Sequence, residues 1–174
     1  MNWPLGGAFN SRINLNLRED KGWTYGARSG FSGNVYSGGY QFSSGIRANA
    51  TDSALAEVMR EIKDYVQAGP KDDELVFLKS AIGQSDALRY ETGIQKAQFI
   101  RRILDYDLPA NYVDMQSNIL KGMTKDQLQT YAKKYINPDK MNIVLVGNKE
   151  KILPGLQKLG YDIVELDTDG NVVK

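Results

Sequence analysis

At 174 residues and 19.4 kDa, the chain suits one domain and is too short for two of ordinary size. Its 22 Lys and Arg against 21 Asp and Glu leave a net charge of +1, which gives no electrostatic pull toward nucleic acid or an anionic membrane. There is no Cys and no His, which excludes disulfide frameworks, thiolate zinc sites and every Ser–His or Cys–His catalytic arrangement and leaves only carboxylate, Lys and Tyr chemistry.

The first segment, Leu5 to Lys21, carries Phe9, Ile13 and Leu17 at spacings of four, one stripe of a helix. Gly22 follows a polar end and is the expected C′ residue. Gly6 and Gly7 read as a place of close helix packing, because no phosphate-loop pattern follows them. From Trp23 to Ala48 the texture turns aromatic and Ser/Gly-rich with period-two character, which predicts two or three antiparallel strands. Gly33, Asn34 and Ser37 to Gly39 supply the turn chemistry between them. Tyr36, Tyr40 and Phe42 are assigned to this sheet, as core or cavity wall.

After Thr51 the spacing of Leu55, Val58, Met59, Ile62, Tyr65 and Val66 predicts a helix stopped by Gly69 and Pro70. A second helix is expected from about Asp72 to Arg89. A third runs from about Gly93 to Tyr106, with Ile94, Ala97, Ile100, Ile103 and Leu104 inward. Leu108 and Pro109 break the pattern, and Tyr112 to Leu120 resumes it. Thr124 and Gln127 form a capping box opening a helix through Leu128, Tyr131, Ala132 and Tyr135. Met141 to Gly147 is a near-continuous apolar run, read as a strand buried on both faces or at a sheet centre. A short helix over Lys149 to Leu159 and an exposed strand over Tyr161 to Leu166 close the chain. Strands followed by helices predict an α+β fold, a two-layer sandwich with an antiparallel sheet covered on one face by several helices. The abrupt start and the few strands against about five helices are those of a single partial domain over residues 1–174.

The densest chemistry lies at the front. Leu5-Gly6-Gly7, Ser11-Arg12, Leu17-Arg18-Glu19 and Gly22 with Tyr25-Gly26, together with Gly93, Lys96-Ala97 and Ile143 to Gly147, resemble the pitrilysin/insulinase family of zinc peptidases, which includes the mitochondrial processing peptidase. That resemblance implies a two-part enzyme. One half carries an inverted zinc motif, His-x-x-Glu-His, and the other repeats the fold without metal and closes over the substrate. Lacking His, this chain resembles the latter part of the non-catalytic half, so no cofactor is expected here and zinc is expected in the partner half, on the same polypeptide or a separate subunit. The resemblance also implies that Arg18 and Tyr25, seven residues apart, reach toward the carbonyl of a bound peptide. A guanidinium stays charged and a phenol stays a neutral donor at neutral pH, so neither has to titrate to hold a developing oxyanion.

The residues alone leave other readings open. Arg18 can belong to a solvated helix end and Tyr25 can be a strand aromatic, while Arg12 and Arg28 are expected in salt bridges with neighbours. A structural subunit of the same fold without peptidase role is the alternative function. Glu165, Asp167, Asp169 and Gly170 copy the first half of a calcium loop, but its twelfth position falls beyond Lys174, so a terminal turn is expected. No apolar run approaches the roughly 18 residues of a membrane span. The start lacks a signal peptide, so a whole gene product would stay in the cytoplasm. The tail from Gly160 resembles the end of large bacterial family members, many of them exported, which favours the periplasm or envelope.

Overall fold

The structure is a computed structural model that describes residues 1–88 and 91–173, with side chains described outside 83–90. The front segment is helical but not one helix. A π-helical turn over Trp3–Gly7 is followed by an extended break at Ala8 and Ser11, then by α1 (Arg12–Asn14), which continues as π-helical turns over Leu15–Asp20. Leu5, Ile13 and Leu17 enter the core as their spacing predicts. Phe9 does not; the break and the wider π turns rotate it outward, and it is 60% exposed. Gly22 takes the left-handed conformation at φ 59°, as expected of a C′ residue.

Strands β1 (Thr24–Gly33) and β2 (Gly38–Ile46) pair antiparallel, with Ala27 opposite Ser44 and Phe31 opposite Tyr40. Asn34 closes the hairpin loop: its Oδ1 accepts from Tyr36 N and Ser37 N. Tyr40 and Phe42 lean onto the core, whereas Tyr36 sits in the loop and is exposed, a correction to its assignment to the sheet. The core forms where α2 (Thr51–Ala68) lays Ala54, Val58, Ile62 and Tyr65 against Leu5, Ile13, Leu17 and Ala27. Gly69, at φ 74°, ends α2 before Pro70.

Helices α3 (Asp72–Leu88), α4 (Gly93–Asp105), α5 (Tyr112–Gly122), α6 (Lys125–Tyr135) and α7 (Lys149–Leu156) follow. The expected end of α3 at Arg89 lies outside the described residues. The capping box of Thr124 and Gln127 is present at the start of α6, and a second one joins Thr92 to Gln95 at the start of α4. From α6, Leu128 and Ala132 are buried, and Ala132 and the following Ile136 join the main core. The architecture is α+β.

Two apolar runs stay uncovered against expectation, both for want of a partner. None of the α4 residues is buried; Ile94 is 74% and Leu104 76% exposed, so its apolar stripe faces outward. Residues 141–147 form no strand, and Val144 and Val146 are 80% and 97% exposed. An apolar run becomes a strand only through a ladder, and among the described residues no segment pairs with this one. The tail forms a turn instead of the expected strand. Leu166 bridges Val172, and Asp167 Oδ1 accepts from Asp169 N at 2.9 Å and Asn171 N at 2.8 Å.

The hairpin is held to the front segment by a reciprocal pair. Asn2 Nδ2 donates to Ser29 O at 2.7 Å, and Ser29 Oγ donates to Asn2 Oδ1 at 2.8 Å. Gly6 lies under this pair, and a Cβ there would come within 3.0 Å of Ser29 N and 2.9 Å of its Cβ. Close packing is thus the role of Gly6. Replacing Gly6 by Ala should therefore destabilise the chain by about 1–3 kcal/mol, read as a lower urea midpoint at unchanged slope.

Burial raises the phenol of Tyr40 to about 12; its hydroxyl lies beside Ser29, whose own proton goes to Asn2, and has no well-directed hydrogen bond among the described residues. Burial, then the nearby charge of Glu74, also raises Tyr65, whose hydroxyl donates to Met1 O at 2.7 Å. A raised folded-state value means that this stability is complete below the unfolded tyrosine value near 10 and is lost as pH climbs through the folded value. Melting temperature should fall steeply from pH 10 to 12. Tyr40→Phe should flatten that fall by an amount on the order of 2 kcal/mol.

Candidate functional site

The sequence-predicted pair sits on either side of one tight connection. Arg18 is on the π-helical turns, and Tyr25 is the second residue of β1. Between them Gly22 N donates to Arg18 O at 3.1 Å and Trp23 N to Leu17 O at 2.9 Å. Arg47 reinforces the connection, its side chain donating to Gly22 O and its N–H to Trp23 O. Backbone hydrogen bonds thus fix where the helical turn ends and the strand begins.

The Arg18 guanidinium lies over the ring of Phe9, 4.3 Å from its centroid, so the outward-turned Phe9 has a role the helical stripe concealed. Arg18 Nη1 is 2.8 Å from Glu19 Oε1, an ion pair without hydrogen-bond alignment. About a third of the Arg18 side chain stays open to solvent. Tyr25 is fully exposed. Among the described residues no hydrogen bond joins the two side chains.

Tyr25 owes its exposure to a β-bulge. Thr24 pairs with Ile46 and Ala27 with Ser44, so three steps on β1 match two on β2. Hydroxyls satisfy the loosened backbone. Thr24 Oγ1 accepts from Gly26 N at 3.0 Å, and Ser44 Oγ donates to Gly26 O at 2.9 Å. Asn14 completes the arrangement from α1. Its Oδ1 accepts from Ala27 N at 2.8 Å and its Nδ2 donates to Phe9 O at 2.6 Å. Sequence reasoning passed over Phe9 and Asn14, since neither a stacking contact nor a long-range amide bridge has a local pattern.

Arg12 behaves as a neighbour-paired residue. Its guanidinium bonds Glu74 through Nε and, at 2.7 Å, through Nη2, which also reaches Gly69 O at 3.1 Å. Its Cζ lies 5.2 Å from the Tyr65 ring centroid. Burial opposes the charge of Arg12, but the hydrogen bond and charge of Glu74 outweigh it and raise its pKa. Arg28 departs from expectation: it is exposed and makes no ion pair among the described residues. A cleft of about 910 Å³ beside Arg12 is lined by Arg60, Glu61, Asp64 and Glu74, and Arg60 bonds Glu57, Glu61 and Asp64.

The donors do not fit zinc. The chain has no His or Cys, and among the described residues no three His, Cys, Asp or Glu side chains converge as a metal-holding group. What Arg18 and Tyr25 offer is hydrogen-bond donation to an oxygen, with the Glu19 carboxylate engaged by the Arg18 guanidinium.

Comparison with known proteins agrees with this picture. Residues 1–82, which contain α1, both strands, α2 and the Arg18/Tyr25 pair, match the Peptidase M16 inactive domain. A crystal structure of a peptidase M16 inactive domain from Pseudomonas fluorescens superposes with a TM-score of 0.74 at 26% identity, covering 80% of this chain and 33% of that one. A curated relative, "Non-peptidase homolog YmxG" of Helicobacter pylori, is 25% identical over 156 residues, 87% of this chain and 35% of the relative. The periplasmic protease PqqL of Escherichia coli shares the fold, with a TM-score of 0.59 at 20% identity over 71% of this chain and 14% of that one. The chain spans about a third of the first two relatives. The M16 inactive-domain match agrees with the pitrilysin/insulinase resemblance of the front segment. No helix among the described residues is long and apolar enough to cross a membrane.

Proposed function

We propose that the chain, as a single partial domain over residues 1–174, is the latter part of the non-zinc-binding half of a zinc metalloendopeptidase. It forms a wall of the substrate chamber and directs Arg18 and Tyr25 toward the scissile carbonyl of a bound peptide, while the metal and general base belong to the catalytic half. The observation that carries this reading is the Arg18/Tyr25 edge. Within an M16 inactive domain, a guanidinium is propped on Phe9 and a phenol is thrown fully into solvent by a bulge with its own hydrogen-bond support. Side chains that serve only the fold are rarely given such support while facing outward.

The surface of the chain favours a large partner. It exposes 12059 Å². A compact monomer of this mass exposes roughly 8500 Å². The surplus resides in features such as the outward stripe of α4 and the unpaired run 141–147, and it exceeds the roughly 1,600 Å² of a standard interface. The rest of its own half and a catalytic half of the same fold would cover it between them. Sedimentation of the chain with the zinc-binding part of its own protein tests this: a 1:1 complex is expected, and two independent species would contradict it. The chain alone should hydrolyse no peptide.

The name of the Helicobacter relative favours a second reading, a structural or interaction subunit without peptidase role. It differs in one outcome, since the complex would form but stay inactive on peptides. For location, the tail and the periplasmic PqqL relative support the periplasm or cell envelope. Fractionation of the native host, with recovery in the soluble cytoplasm, would overturn that.

A further inference from the structure

The bulge and the Arg18–Phe9 stack are joined through a single buried side chain. Asn14 is 3% exposed, at the end of α1, four residues before Arg18. Its amide has one donor side and one acceptor side in a fixed plane, and each is used across the chain. Nδ2 donates to Phe9 O, the carbonyl of the residue on which Arg18 rests, and Oδ1 accepts from Ala27 N, two residues beyond Tyr25 at the closing pair of the bulge. A Cβ on Gly26 would lie 3.9 Å from the same Oδ1, so the bulged backbone passes directly over the amide. No other side chain among the described residues bonds both the Phe9 end and the Tyr25 end of this edge.

We infer that Asn14 is a positioning residue: it sets the relative placement of Arg18 and Tyr25 by holding the Phe9 support and the β1 bulge to one rigid amide. The inference rests on the substrate-facing reading of that pair for its catalytic consequence, but not for its structural one. Asp at this position keeps an acceptor for Ala27 N and turns the other oxygen against Phe9 O, two acceptors facing one another. Leu fills similar space, leaves Ala27 N buried without a partner and takes the amide donor from Phe9 O. The side chain is thus required for both of its ends at once, which neither replacement reproduces.

The test uses the chain itself and its complex with the zinc-binding part. In the chain, Asn14→Asp should abolish the NMR contacts between the Phe9 ring and the Arg18 side chain while Ala27 N–H stays protected from exchange. Asn14→Leu should lose both, and if it fails to fold, Asn14→Asp decides alone. In the complex, Asn14→Asp should lower kcat by about 10- to 100-fold with KM little changed. Combined with Arg18→Ala it should add less than about twofold, because the two changes remove one function. Asn14→Asp that keeps the Phe9–Arg18 contacts, or whose loss multiplies fully with that of Arg18→Ala, overturns the inference. If Arg18→Ala leaves turnover intact, it is the substrate-facing reading that fails, and the NMR contacts alone then decide the role of Asn14.

Discussion

Arg18→Ala in the assembled peptidase should lower kcat about 100- to 1,000-fold without changing zinc content, the effect of deleting one oxyanion donor. Tyr25→Phe removes only a hydroxyl and should act in the same direction. The chain's stability separates this from a folding defect. Tyr25 is fully exposed, so Tyr25→Phe should leave the urea midpoint within about ±0.5 kcal/mol of its starting value. Arg18→Ala loses the contact over Phe9 and a largely exposed ion pair, which together are worth about 1 kcal/mol. Arg18→Lys keeps the charge but not the planar guanidinium that lies on the ring, so it should recover only part of the turnover. A large loss of activity at nearly unchanged stability is the signature of a pair that meets substrate. An unchanged kcat in both variants would reduce Arg18 and Tyr25 to a helix end and a strand aromatic.

The largest stability effect is expected at Glu74. Its carboxylate takes two donors from Arg12 and also accepts Lys71 N at 2.6 Å, at the start of α3. Both side chains are less than a fifth exposed, so Glu74→Ala leaves a guanidinium mostly out of water, with Gly69 O, the Tyr65 ring and the charge of Glu61 as its remaining described partners. Removing one member of such a pair costs more than the pair contributes, because the remaining charge stays desolvated. Residual exposure moderates this to about 2–3 kcal/mol, measured by urea unfolding. Replacing both members by apolar residues, Arg12→Met with Glu74→Leu, should cost less than Glu74→Ala alone. A double variant as damaged as the sum of the singles would show that the two residues act independently.

What the sequence disclosed follows the range of the interactions involved. The capping box at Thr124 was readable because its partners lie three residues apart, and α2 was readable because its stripe faces one core along its whole length. The two strands and the hairpin between them followed from aromatic alternation and Gly/Asn turns. Residues 141–147 and α4 have equally clear patterns, yet a pattern states only that a face needs covering and not what covers it. The front stripe failed at Phe9 alone, where extended residues and π turns reset the helical phase. At the site, Arg18 and Tyr25 were found through a resemblance at fixed spacing. Asn14 was not, because its partners stand 5 and 13 residues away on different elements and nothing in its neighbours announces the bridge.

The central claim is that this chain completes a peptidase. The most direct measurement is hydrolysis of an extended peptide by the zinc-binding half, from the same polypeptide or a separate subunit, with and without this chain, at equal zinc content. Turnover that appears only when the chain is added, and that falls with Arg18→Ala, is the predicted result. A stable, zinc-loaded complex that cleaves nothing, or cleaves equally well without this chain, would contradict it.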